Sequence, residues 1–180
     1  AARLPNLIYA SVSGFGQTGP RHTQPGYDAV LQAEGGLMSI TGDADGPAYR
    51  LGVAISDITA GMFAAYGVVL ALYARDRTGR GQLVDVGMLD AVSALLTYQA
   101  GIHLTTGVVP PRMGNRHPTI APYETFDASD GEFVVAVGND EQWKRLCKVI
   151  DQPELGNDPN FNTNRARVAA HDKLQPLLAQ

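Results

Sequence analysis

Apolar residues fall into short runs and longer blocks over the first hundred positions, each closed by glycine or proline. Asn6 to Val12 reads as a buried strand bounded by Pro5 and Gly14. A glycine-rich loop follows from Ser13 to Gln24. Tyr27 to Met38 reads as a helix ending at the Gly35 and Gly36 pair, and Ser39 to Tyr49 as a turn-rich connection. Val53, Ala54 and Ile55 read as a buried strand end. Ile58 to Tyr73 reads as a helix, apolar almost all round, closed by the turn RDRTGRG. Gln82 to Gly87 alternates as a strand, and Met88 to Gly101 is a further apolar helix. Such βα alternation predicts an α/β layer with strands that are at least partly parallel.

The pattern changes after Gly101. Gly107 to Pro118 is rich in glycine, proline and arginine. Tyr123 to Phe126 and Glu132 to Val137 read as two strands around a turn at Asp127 to Gly131. Glu141 to Ile150 has the period of an amphipathic helix, 157–161 is a turn, and Asn164 opens a last helix. The expected organisation is an α/β part over residues 1–100, a linker over 101–115 and a smaller α+β part over 116–180. The chain opens AARLPNLIYA and ends within a helical pattern, as expected of a stretch from the middle of something longer.

With 180 residues, 44% hydrophobic and 18% charged, a globular protein with a sizeable core is expected. A net charge of −4 argues against a nucleic-acid partner. The single cysteine, Cys147, excludes an internal disulfide, fits a reducing, cytoplasmic compartment, and sits in a helical pattern as a core thiol. Ile58 to Ala74 comes nearest to a membrane span but is short and holds Gly61, Gly67 and two tyrosines; a buried core helix is expected, and no membrane partner.

Asp57 is the charge that stands out, because it lies between two elements read as buried. A charge there is costly unless hydrogen-bonded or useful. Asp57 is either an N-cap or a nucleophile whose carboxylate is held at the helix start, and the two are compatible. Gly14, Gly16 and Gly19 spell a literal G-x-G-x-x-G after a strand. Pro20 and Pro25 follow, so no helix begins where a pyrophosphate would need one. His22, His103, His117 and His171 are widely separated, so no metal is expected. His117, beside Asn115 and Arg116, is either a surface loop residue or part of an anion contact. Arg75, Arg77 and Arg80 suit the end of a helix.

Together these pieces resemble the family III CoA-transferases, the group of formyl-CoA transferase, carnitine CoA-transferase and α-methylacyl-CoA racemase. The matching segments are LIYASVSGFGQTGP (Leu7 to Pro20), GYDAVLQAEGG (Gly26 to Gly36), GVAISDITAGMFAAYGVVLALYARDRTGRGQLVDVGMLDA (Gly52 to Ala91) and GNRHPTIAPYETFDASDGEFVVAVGNDEQWKRLC (Gly114 to Cys147). The resemblance implies part of a Rossmann-like large CoA-binding domain followed by part of a small α+β domain, in a family whose intact homodimers interlock like linked rings. It implies acyl-CoA and a carboxylic acid acceptor as substrates, coenzyme A being carried as a substrate rather than a bound cofactor.

It also implies that Asp57 is the nucleophile. The aspartate attacks the acyl-CoA thioester to give a mixed anhydride, the released thiolate returns to give an aspartyl-CoA thioester, and the acceptor collects CoA at the end. Racemases of the family carry a histidine directly before the aspartate that Asp28 matches; here that residue is Tyr27. Without the imidazole, abstraction of the α-proton lacks its base, so transferase is favoured over racemase or lyase. A truncated segment that only folds and associates is the non-enzymatic alternative. Gln24, Pro25, Gly26 and Tyr27 match a segment that contacts CoA in formyl-CoA transferase. The lysine found there is Pro25 here, so that phosphate contact and formyl-CoA specificity are not expected to carry over. Asp28, Asn115, Arg116 and His117 are expected near the acyl or acceptor carboxylate, and Glu124 is either a further member or an ordinary strand residue.

Overall fold

A computed structural model describes residues 4–179. Its contacts divide the chain into two compact units that meet between Arg112 and Met113. In the first, β1 (Tyr9–Ser13) pairs in parallel with β2 (Leu83–Gly87), Tyr9 opposite Leu83 and Ser13 opposite Gly87. Between the strands lie α1 (Asp28–Glu34), a 3₁₀ turn (Met38–Ile40) and the long α2 (Ile55–Thr78); α3 (Met88–Ala94) and α4 (Thr97–Thr106) follow. Leu31 of α1, Ala60 of α2, and Met88, Ala91 and Val92 of α3 form the buried core, with Leu51, Ile55 and Val86 against it.

Several boundaries differ from those the sequence predicts. β1 starts at Tyr9, because Leu4 to Leu7 close a turn through the Leu7 N–H and Leu4 carbonyl (3.1 Å). α1 is shorter than expected, 7 residues, and stops at Glu34. Val53 to Ile55 form no strand: Val53 is exposed, Ala54 is the N-cap position, and Ile55 is already helical. Three apolar residues without alternation do not separate a strand end from a helix start. The helix expected from Met88 to Gly101 is two helices, broken where Thr97 takes a positive φ of 43°. The second of them runs to Thr106, through the first part of the expected linker.

α2 departs furthest from expectation. Ser56, Thr59, Ala60 and Ala71 are its buried residues, whereas Ile58, Met62, Tyr66, Val69, Leu70 and Tyr73 are exposed. Within the described residues it is therefore not a covered core helix. Starting at Ile55 and running 24 residues, with a hydropathy of 1.7 over its most apolar window, it is long and apolar enough by length and composition to cross a membrane. A helix flanked by other protein on two sides has the same pattern.

In the second unit β3 (Tyr123–Ala128) and β4 (Gly131–Ala136) form an antiparallel hairpin. α5 (Asp140–Val149), a 3₁₀ turn (Pro153–Gly156), α6 (Asn164–Ala169) and α7 (His171–Leu178) complete it. The single helix expected from Asn164 breaks at Ala170, with no glycine or proline to announce it. Trp143, Cys147, Leu155, Phe161 and Leu174 make its core. Arg167 is fully buried beside them. It donates to the carbonyls of Ala121 (2.6 Å) and Phe161 (2.9 Å) and to Asp140 Oδ1 (2.9 Å), so every edge of the guanidinium has a partner.

Candidate active site

Asp57 is the third residue of α2, not its cap, and it is exposed rather than enclosed. Ala54, at the N-cap position, has no side chain able to accept a first-turn N–H. That role passes to α1. The Asp28 carboxylate accepts the Ser56 N–H through Oδ1 (3.0 Å), and the Ser56 hydroxyl donates to the Asp28 carbonyl (3.3 Å). The start of α2 is thus capped by a residue 28 positions away. Among the described residues the Asp57 carboxylate itself has no hydrogen-bond or ion-pair partner. It carries a negative charge on the first turn of a helix, where the dipole favours it.

The other Asp28 oxygen, Oδ2, accepts from Gln32 Nε2 (2.9 Å). Gln32 is fully buried, and it also donates to the Val53 carbonyl (3.3 Å) and accepts the Leu51 N–H at Oε1 (2.9 Å). Both Asp28 oxygens therefore hold structure, which gives this residue a capping role. Periodicity missed Gln32. Its one sequence signal is a polar residue on the apolar run AVLQA, four positions after an aspartate on the same helix face.

The stretch before α1 is brought to the same place. Tyr27 is the extended N-cap residue of α1 and is 72% exposed, directly before Asp28. Gln24 and Pro25 are exposed, and Gln24 accepts from Arg21 Nε (2.6 Å). Gly26 passes so close to Gly14 that a Cβ on Gly26 would lie 2.5 Å from the Gly14 Cα. Glycine at both positions lets the loop after β1 lie against the segment leading to Asp28.

In the G-x-G-x-x-G loop the Gln17 N–H, a donor such a loop would offer an anion, is taken by Asp85 Oδ2 (2.9 Å). Turns, not a helix, follow Gly19. A cleft of about 340 Å³ beside the loop is lined by Phe15, Arg21, Asp85 and Asp90. Arg21 pairs there with Glu34 (3.1 Å to Oε1) and lies 3.8 Å from the centre of the Phe15 ring. The hydrogen bond from Arg21 holds the Glu34 carboxyl below its ordinary range.

Asn115, Arg116 and His117 belong to the second unit, on the loop before β3. Asn115 Nδ2 donates to Thr125 Oγ1 (3.0 Å). His117 Nδ1 accepts the Thr119 N–H (3.2 Å), which puts the proton of a neutral ring on Nε2. Glu124 accepts from His171 Nε2 (2.7 Å), and both side chains are largely buried. Among the described residues no cluster of three or more His, Cys, Asp or Glu is placed to hold a metal.

The sequence model described as CoA-transferase family III matches residues 1–180. The chain belongs to CoA-transferase family III. It is 48% identical over 175 residues to the acetyl-CoA:oxalate CoA-transferase of Acetobacter aceti, covering 97% of this chain and 45% of that protein. It is 42% identical to the succinate–glutarate CoA-transferase of Agrobacterium fabrum, with 97% of this chain and 44% of that protein covered. The fold matches a CAIB/BAIF family protein from Brucella suis with a TM-score of 0.81 at 44% identity, covering 97% of this chain and 46% of that one. It matches Rv3272 from Mycobacterium tuberculosis with a TM-score of 0.85 at 29% identity, covering 99% and 46%. The family III chain therefore spans somewhat under half the length of these relatives.

Proposed function

We propose that the protein carrying this sequence moves CoA from an acyl-CoA to a carboxylic acid, with Asp57 as covalent nucleophile. Relatives named as CoA-transferases support the overall reaction. The observation that carries the assignment of Asp57 is an exposed, unpartnered carboxylate on a helix start that a second helix holds in place.

The steps balance without a redox partner. An Asp57 oxygen attacks the thioester carbonyl, the C–S bond breaks, and CoA thiolate leaves a mixed anhydride. The thiolate attacks the aspartyl carbonyl, and the donor acid leaves as its carboxylate. The acceptor carboxylate then attacks the aspartyl-CoA thioester, and the thiolate takes the acceptor acyl group from the new anhydride. The Asp57 carboxylate is restored. These intermediates hydrolyse in water, so the reacting carbonyl must be kept dry. In this reading Gln24 to Tyr27 contact CoA, and Asn115, Arg116 and His117 contact an acyl or acceptor carboxylate. The acceptor is a short di-acid, the class that oxalate and glutarate in the relatives' names represent. The protein works as a cytoplasmic homodimer, and the uncovered apolar side of α2 supports association.

Acyl-CoA followed by hydroxylamine should leave a hydroxamate at Asp57, detected by peptide mass spectrometry. Asp57→Ala should abolish exchange between an acyl-CoA and a di-acid; full exchange by that variant would reject the reading.

A further inference from the structure

We infer that Gln32 is a positioning residue for Asp57, an assignment that rests on Asp57 being the nucleophile proposed above. Gln32 is fully buried, and all its hydrogen-bonding groups that face protein are used for one purpose. Oε1 takes the Leu51 N–H, while Nε2 gives one hydrogen to the Val53 carbonyl and one to Asp28 Oδ2. Those partners dictate the amide's orientation, since flipping it would set donor against donor at Leu51 and acceptor against acceptor at the other two.

Residues 51–54 are irregular and lead straight into α2. Their backbone bonds forward into α2, through the Ile55 N–H to the Val53 carbonyl (2.9 Å) and the Ile58 N–H to the Ala54 carbonyl (3.0 Å); among the described residues the bonds to Gln32 are those that tie it back to α1. The same amide braces Asp28, whose other oxygen caps Ser56. One side chain therefore fixes Leu51, Val53 and, through Asp28, Ser56, the residue before Asp57. An apolar residue would fill this volume without the cost of burying an amide. What it would not do is fix the point at which α2 begins. A displacement of about 1 Å in a reacting group is enough to lower a rate roughly 100-fold.

Gln32→Leu removes all three bonds, and Gln32→Glu keeps the acceptor for Leu51 but replaces the donors with a carboxylate facing Asp28. Gln32→Leu should lower kcat about 10- to 100-fold and leave KM for acyl-CoA within about twofold, because the side chain is argued to act on Asp57 and not on the substrate. Hydroxamate trapping at Asp57 should slow in parallel. Gln32→Glu should be impaired near neutral pH and recover relative to wild type as the pH falls and the introduced carboxyl gains a proton to donate. Near-UV circular dichroism at each pH checks that the variants are folded. If Gln32→Leu does not fold, the pH profile of Gln32→Glu decides, and a profile parallel to wild type overturns the assignment. Folded Gln32 variants with wild-type kcat, alongside an inactive Asp57→Ala, overturn it and leave the nucleophile standing. Full exchange by Asp57→Ala overturns both.

Discussion

The carboxylate of Asp28 lies 3.0 Å from the backbone nitrogen of Ser56, so one helix supplies the cap that the next helix lacks. This relationship places the start of α2, and with it Asp57. Asp28→Ala should cost about 1 kcal/mol of stability, the usual loss for a cap, measured by urea unfolding. It should lower exchange activity by more than the fraction unfolded explains. Asp28→Asn keeps an oxygen for the Ser56 N–H but turns an NH2 toward Gln32 Nε2, donor against donor, and should recover only part of the stability.

The Arg21 and Glu34 pair gives a pH dependence with a definite sign. The hydrogen bond from Arg21 lowers the Glu34 pKa in the folded protein. Its stabilisation is therefore complete above the ordinary carboxylate range and disappears as the pH falls through the lowered folded value. Glu34→Gln should bring the acid-unfolding curve closer to flat in that window and change little at neutral pH. Both groups are exposed, so added salt should reduce the difference.

Arg167 anchors the second unit. Replacing it with methionine leaves two carbonyls without their donor and Asp140 Oδ1 with only the Asn164 N–H. A loss of about 3 kcal/mol or more is expected, read as faster hydrogen exchange in α5 and α6. Arg167→Lys should restore only part of it, because one ammonium cannot reach three directions set by a planar fork.

Cys147 should be inert in the folded protein. Burial pushes its thiol pKa up, which suppresses the reactive thiolate. A thiol reagent such as dithionitrobenzoate should label it only after denaturant is added. Rapid labelling under native conditions would show that the second core opens readily.

Elements with a clear period were legible from sequence. The alternation of β2, the β3–β4 hairpin around Asp127 to Gly131, and the stripe of Trp143, Leu146 and Cys147 on α5 all correspond to observed structure. Asp57 stood out because it was a charge between two stretches read as buried. What periodicity could not show is where α2 begins, since its cap comes from Asp28 and not from a neighbouring residue. The same limit hid Gln32 and Arg167, polar residues whose burial depends on backbone carbonyls supplied by distant segments. The breaks at Thr97 and Ala170 carry no glycine or proline signal. The described residues do not enclose Asp57 and α2, because composition states that a surface is apolar and not which residues cover it.

The pairing of β1 with β2 has a kinetic consequence. The two strands are far apart in sequence, and both α1 and α2 lie between them in the chain. A parallel pair cannot be closed by a tight turn, and the entropy of closing so long a loop is spent before any ladder bond repays it. Helices α1 and α2 are local and can form first. The sheet then acts as a clasp, drawn shut over helices already docked, and the slow phase of refolding should report strand closure rather than helix formation.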